Sequence, residues 1–374
     1  MAIGVCLLGV LPFLGCSAVV VGSPAQEAPG PASPPCRPAP LTARAAAVLV
    51  AGLPDTQDPD DELATSLPKL GVGGVLLTQR NVRSPEQVSA LTSALRKRSA
   101  RPLYITTDEE GGQVSTFRPL LGTSSSAYSV GGGDPARLFA RGQLLGTFLR
   151  GLGVSGDLAP VADVTTGSAS AIGSRSFSAD PATASSDALA VARGLAASGV
   201  TPTLKHFPGL GRPESDTHTE VTVVDAARAD LESTDLAPFH TAIGQGVPVV
   251  MVSHASYPSL GITGPASLSP TSYALLRKLG FQGVAMTDSL GMGAVNLRYD
   301  YPEAAVQALR AGADALLFTD GTQAKRMRDA LVSAVQHGRL SAARLDDAAA
   351  RVTALAGGDA EALTCQDVQL PTLR

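Results

Sequence analysis

The chain has 374 residues, 44% of them hydrophobic, which is enough for one large core or two modest domains and more than a small sandwich requires. Its formal net charge of -4 gives no basic stripe that could neutralise a phosphate backbone, so nucleic acid is excluded as a partner.

Residues 1–16 form an apolar run that is too short and interrupted to span a bilayer and ends in small residues, so they read as an export signal. The step Phe13-Leu14-Gly15-Cys16 resembles a bacterial lipoprotein cleavage box, which assigns a lipid to the Cys16 thiol; an ordinary signal peptide with a coincidental cysteine is the alternative. Residues 17–44 are rich in Pro, Ala, Ser and Gly, cannot bury enough surface to fold, and suit a tether. The folded domain is expected over 45–374. If Cys6 leaves with the signal and Cys16 carries lipid, only Cys36 and Cys365 are left, and an oxidising compartment predicts that they pair. Closing so long a loop is worth at most roughly 5 kcal/mol in the loop-entropy model.

From residue 45 onward short apolar runs alternate with helical patterns, which argues for parallel βα units. The predicted strands are 46–51, 73–78, 102–108, 156–160, 203–206, 249–254, 283–288 and 315–319. Helix starts stand between them, as in Ser84-Pro85-Glu86-Gln87, Asp180-Pro181 and Ser269-Pro270, and two further helices are expected at 322–337 and 341–355. The pattern fits an α/β fold, a single (β/α)8 TIM-like barrel with enlarged βα loops. A doubly wound open sheet is the structural alternative.

A barrel carries its chemistry at the C-terminal ends of its strands, and the unusual polar residues fall there. Asp108 ends the third strand, Lys205 and His206 the fifth, His254 the sixth and Asp288 the seventh. Singly each has a bland explanation: Asp288 as a helix cap, Lys205 and His206 as a buried polar pair, His254 as a satisfied core histidine, and Gly111-Gly112 as a tight turn. Their convergence on one rim favours a site. Asp216 and His218, in the loop sequence GRPESDTH, add a possible dyad in which the carboxylate fixes the imidazole tautomer so that it can act as acid and then base. Two ordinary loop residues are the alternative.

TDEEGGQV, IGSRSF, KHFPGLG followed by D-T-H, and GFQGVAMTDSLGM resemble the ordered motifs of glycoside hydrolase family 3, in particular its single-domain bacterial β-N-acetylglucosaminidases. The resemblance runs over residues 45–355. It implies a retaining exo-glycosidase in which Asp288 is the nucleophile and His218, oriented by Asp216, is the acid/base, in place of the usual carboxylate pair. It further implies that Asp108, Arg175, Lys205 and His206 hold the hydroxyls of a terminal sugar, with His254 nearby. No cofactor or metal is implied. The implied partner is a small GlcNAc-containing muropeptide or disaccharide acted on by a monomer, with membrane contact only through the lipid anchor. Gln113 and Thr116 stand where the family often has Arg, and Leu210 where His is frequent, which bears on how the subsite beyond the cleaved bond is read; Arg118 is a candidate substitute.

The absence of Trp and the 4% aromatic content independently favour a short polar pocket over a polysaccharide groove. The competing readings are a non-catalytic glycan-binding lipoprotein, a β-glucosidase, phosphorolysis in the second step, and a metal hydrolase built on His206, His218, His254 and Asp216. The metal reading lacks H-E-x-x-H or H-x-H spacing.

Overall fold

Eight short parallel strands alternate with helices along the chain: β1 Leu49–Gly52, β2 Gly74–Leu77, β3 Tyr104–Thr107, β4 Gly156–Asp157, β5 Thr201–Phe207, β6 Val249–Val252, β7 Val284–Thr287 and β8 Leu316–Phe318. The computed structural model describes residues 36–165, 170–217 and 219–374, so Cys16 and His218 lie outside the described residues. The sheet runs β8-β1-β2-β3-β4-β5-β6-β7. A parallel bridge from Met286 to Ala315, with the Thr287 N–H donating to the Ala315 carbonyl at 3.0 Å, joins β7 to β8 and closes the sheet into a barrel. An open doubly wound sheet would leave these two strands as edges, so that alternative is set aside.

Strands enclosed on both faces are apolar along most of their length, and the period-2 alternation sorts these apolar residues into two cores. Val50, Leu76, Tyr104, Val249, Met251, Val284, Met286 and Leu317 point into the lumen. Leu49, Ala51, Val75, Leu77, Ile105, Val250, Val252, Ala285, Leu316 and Phe318 point outward against the helices. Those helices are α1 Glu62–Leu70, α2 Pro85–Arg98, α3 Pro135–Gly151, α4 Pro181–Ala197, α5 Ala237–Gly244, α6 Pro270–Lys278, α7 Tyr301–Ala311 and α8 Ala324–Gln336. Ser84 caps α2 by accepting from the Gln87 N–H at 3.2 Å and Asp180 caps α4 through Thr183 at 2.8 Å, whereas Ser269, before α6, makes no such bond.

A helix Leu41–Ala47 precedes β1 and packs on α8 and on the trailing helices Ala342–Leu355 and Ala360–Thr364. It takes residues 46–47 out of the predicted first strand, and the fourth strand is shorter than expected, ending at Asp157 rather than 160. The floor of the lumen is filled by Val352 with Leu355, Ala356 and Leu370 packed against it. Cys36 and Cys365 are disulfide-bonded to one another, as the cysteine count predicted. No described helix is long and apolar enough to cross a membrane.

The lumen leaves no room at Gly156, where an added Cβ would stand 2.0 Å from the Tyr104 hydroxyl. Gly156→Ala is therefore expected to destabilise the domain by about 1–3 kcal/mol through overpacking. Urea denaturation checks this, and an unchanged midpoint would show that Tyr104 yields freely.

Candidate active site

Asp108 follows β3 directly, and the next residues form a hairpin in which Glu109–Gly111 pairs antiparallel with Val114–Ser115. Gly111 and Gly112 make its turn at φ +84° and +60°, conformations that suit glycine, so the tight-turn reading holds for this pair. Alternation turns Glu109 away from Glu110. Glu109 accepts from the Phe117 N–H at 2.7 Å, and burial raises its pKa. Glu110 is turned toward the barrel mouth with its side chain 3% exposed.

Glu110 is the hub of a charged network. It accepts from Arg175 Nε and Nη2, both at 2.8 Å, and from Lys205 Nζ at 2.7 Å. Lys205 also donates to Asp108 at 2.6 Å. Burial alone would raise the Glu110 pKa, but the two cations outweigh it and hold the carboxyl far below the ordinary glutamate range. Burial by itself would lower the pKa of Lys205; Asp108 and Glu110 prevail, so the ammonium stays protonated. His206, next along β5, places Nδ1 2.7 Å from Asp163 Oδ2 while its Nε2 faces Arg175 at 3.4 Å. The Asp163 pairing assigns the ring proton to Nδ1.

Asp288 follows β7. Its Oδ1 accepts from its neighbour's N–H, that of Ser289, at 2.7 Å, and the next helix, Gly293–Asn296, has Met292 at its N-cap, so Asp288 is not a helix cap. Burial pushes its carboxyl up, but the His254 and His206 imidazoles, the Ser289 N–H and the Lys205 ammonium act the other way and leave its pKa below the ordinary value. Asp288 is thus an ionised carboxylate at neutral pH.

Asp288, Asp108, Glu110, Arg175, Lys205 and His206 all line one cavity of about 330 Å³ at the barrel mouth. Its floor is apolar, with Leu76, Met251 and Leu317 reaching up from the lumen, and Val114, Ser289, Gly291, Met292 and Thr319 add to the wall. The sequence-predicted group Asp108, Arg175, Lys205, His206 and Asp288 is therefore brought together.

His254 has the surroundings of the satisfied core histidine weighed in the sequence reading, and it lies close enough to act on Asp288. It is fully buried, contacts Ser267 Oγ through Nδ1 at 2.6 Å and donates from Nε2 to the Ser289 carbonyl at 2.8 Å, so it braces the Asp288 loop from behind instead of facing the cavity. Arg118 donates to the Gly112 carbonyl and is not among the described residues that line this cavity. Thr116 bonds the Asp108 carbonyl through its N–H (3.1 Å) and its hydroxyl (2.9 Å). Asp216 is exposed on the loop after β5, and the carbonyl of the following Thr217 accepts from the Ala294 N–H at 3.2 Å, which ties this loop to the one that follows Asp288.

Three functional positions escaped the sequence reading. Glu110 was hidden in an acidic run read only as a turn, although the period of two in a hairpin would have paired it with Asp108. Asp163, wholly buried, was a lone charge inside the apolar run after β4. Asp157 is also buried, accepts from the Glu109 N–H at 2.9 Å to fix the hairpin, and has a pKa pushed well above the ordinary value by burial.

A barrel with cationic and anionic groups around an ionised carboxylate at the end of its seventh strand has the layout of an enzyme that binds a polyhydroxylated ligand at a charged centre. Residues 44–355 match the glycosyl hydrolase family 3 N terminal domain, and the chain belongs to that family. It is 34% identical to the beta-hexosaminidase LpqI of Mycobacterium tuberculosis across 90% of this chain and 91% of that protein. Among solved structures, a family 3 beta-N-acetylglucosaminidase from Paenibacillus sp. FPU-7 superposes with a TM-score of 0.81 at 32% identity, covering 88% of this chain and 64% of that one. A family 3 glycosyl hydrolase from Mycobacterium smegmatis superposes with a TM-score of 0.78 at 36% identity, covering 85% and 97%.

Proposed function

We propose that this chain is an exo-acting, retaining β-N-acetylglucosaminidase that removes terminal GlcNAc from small fragments derived from the cell wall. Asp288 attacks the anomeric carbon while His218, oriented by Asp216, protonates the departing glycosidic oxygen; the C1–O bond breaks and a glycosyl-enzyme forms. His218 then takes a proton from water, which attacks C1 and returns Asp288 as carboxylate. Asp108, Lys205, Arg175 and His206 hold the hydroxyls of the terminal sugar, and Glu110 fixes the two cations among them.

The observation that supports this best is the sharing of one cavity by the ionised Asp288 and four of these groups. Its volume of about 330 Å³ lies at the low end of small-molecule sites, roughly 300–1,000 Å³. Among the described residues that line it there is no Phe, Tyr or Trp, so these offer no stacking platform for a long glycan. The N-terminal signal and Cys16 favour an exported, lipid-anchored protein.

Hydrolysis of matched aryl N-acetyl-β-glucosaminide and β-glucoside by the purified protein tests the reading. The N-acetylglucosaminide is expected to be cleaved much faster, with β-GlcNAc as the first anomer seen by proton NMR. Equal or faster glucoside cleavage, or α-GlcNAc as the first product, would refute it.

A further inference from the structure

The segment that leaves β5 and carries Asp216 and His218 in its sequence is clamped along its first part. Asp163 Oδ1 accepts from the His206 N–H at 3.1 Å and the Leu210 N–H at 2.7 Å. The Tyr257 hydroxyl donates to the Gly209 carbonyl at 2.9 Å. Arg212 Nε then contacts both Asp235 oxygens, at 3.0 and 2.7 Å. The Asp235 side chain is fully buried and that of Arg212 is 24% exposed. Asp235 closes the π-helix Leu231–Asp235, an uncommon element that marks functional sites more often than chance. Gly209, at φ +123°, lies so close that an added Cβ would stand 2.6 Å from the Asp235 Cβ.

Arg212 thus holds the strand-proximal foot of the segment four residues before Asp216. Beyond it the described bonds include the Ala171 N–H to the Pro213 carbonyl at 2.9 Å, Ser215 to the Thr222 hydroxyl at 3.1 Å, the Ser256 N–H to the Thr222 carbonyl at 2.9 Å and the Ala294 N–H to the Thr217 carbonyl at 3.2 Å. An apolar pair could fill the same space with less desolvation, whereas a buried ion pair fixes direction.

We propose that Arg212, bound to Asp235, is a positioning residue for the acid/base step, setting where the Asp216–His218 segment stands relative to the cavity. The proposal rests on the His218 assignment above and concerns a residue outside the substrate-binding groups. It carries a pH signature. The ionisable groups facing Asp235 are Arg212, Asp163 with His206 bound behind it, and Tyr257, whose hydroxyl burial keeps neutral. Burial raises the Asp235 carboxyl to about 6, against the opposing pull of Arg212. The pair therefore loses its charge attraction as pH falls through about 6. The fold does not suffer, because a raised carboxyl pKa means that the neutral form is the better tolerated one and this group's contribution to stability grows on acidification. Asp288, with its lowered pKa, titrates below that range.

The test uses the full chain with Arg212→Ala, Arg212→Lys and Asp235→Asn, and two substrates: the 2,4-dinitrophenyl N-acetyl-β-glucosaminide, whose leaving group needs no proton, and the phenyl analogue, whose leaving group does. Arg212→Ala is expected to lose on the order of ten- to a hundredfold in kcat/KM, which reports the first step, on the phenyl substrate, and only about threefold or less in kcat/KM on the dinitrophenyl one. Arg212→Lys should recover most of the loss, and Asp235→Asn should reproduce it and abolish the acid limb near pH 6. Equal losses on both substrates, or no loss with the limb unmoved, would overturn the proposal. Amide hydrogen exchange provides a readout that does not depend on turnover. Faster exchange confined to residues 213–222 in Arg212→Ala supports the assignment, and unchanged exchange overturns it, even if the wild-type protein were to cleave neither glycoside and the proposed activity itself failed.

Discussion

Asp288→Ala is expected to lower kcat on aryl N-acetyl-β-glucosaminides by roughly 10⁴-fold or more, because the proposed mechanism assigns the covalent intermediate to this carboxylate. The structure argues against a generic structural loss. Among the described residues Asp288 accepts one side-chain hydrogen bond, from the N–H of its immediate neighbour Ser289, and it supports no helix. Trimming it leaves an anion-sized space beside the His206 imidazole and the Lys205 ammonium, which lower its pKa in the wild type. Added azide is expected to enter that space, restore part of the rate and yield the α-glycosyl azide, one inversion from the β-substrate. NMR of the product checks the configuration. Full turnover without azide, or a β-azide, would remove Asp288 from the nucleophile role.

The second large effect falls on Glu110. Glu110→Ala would strip Arg175 and Lys205 of their shared buried counter-charge, and breaking such a pair on one side costs about 3–5 kcal/mol. The same change frees both cations from their positions at the cavity wall, so KM should rise along with the loss of stability. Glu110→Gln keeps the shape but cannot balance two cations, and it separates charge from packing. The pH dependence has a definite sign. Glu110 has a depressed pKa in the fold, so its stabilisation is fully present above the ordinary value of 4.5 and is lost as pH falls toward the much lower folded value. Urea denaturation of wild type and Glu110→Gln should therefore differ most above pH 4.5 and converge on acidification. A constant difference across that range would mean that Glu110 acts through packing alone.

The strand count was legible because barrel strands buried on both faces leave apolar runs, several of them ending in a polar group where the rim begins. That same property blurred the edges. Ala45, Ala46 and Ala47 are buried whether the segment is helix or strand, so composition could not separate the leading helix from β1. Asp108, Lys205, His206 and Asp288 were legible as charges that end apolar runs. Glu110 and Asp163 were not, because what defines them is a partner far along the chain: Arg175 lies 65 residues from Glu110, and His206 lies 43 from Asp163. His254 shows the converse. Its position at a strand end left ligand and satisfied core histidine both open, and Ser267 and the Ser289 carbonyl, far along the chain, stand at its two nitrogens.

Closure of the sheet pairs β1 with β8, Leu49 opposite Leu316, while the lumen is stoppered by Val352 and Leu370. During synthesis the first strand must therefore wait for nearly the whole polypeptide before its second neighbour leaves the ribosome. Completion of the ring is then a late event with a large loop-closure requirement. Nascent chains arrested before residue 316 are expected to stay protease-sensitive at β1, and release of the segment through Leu370 should bring resistance in one step.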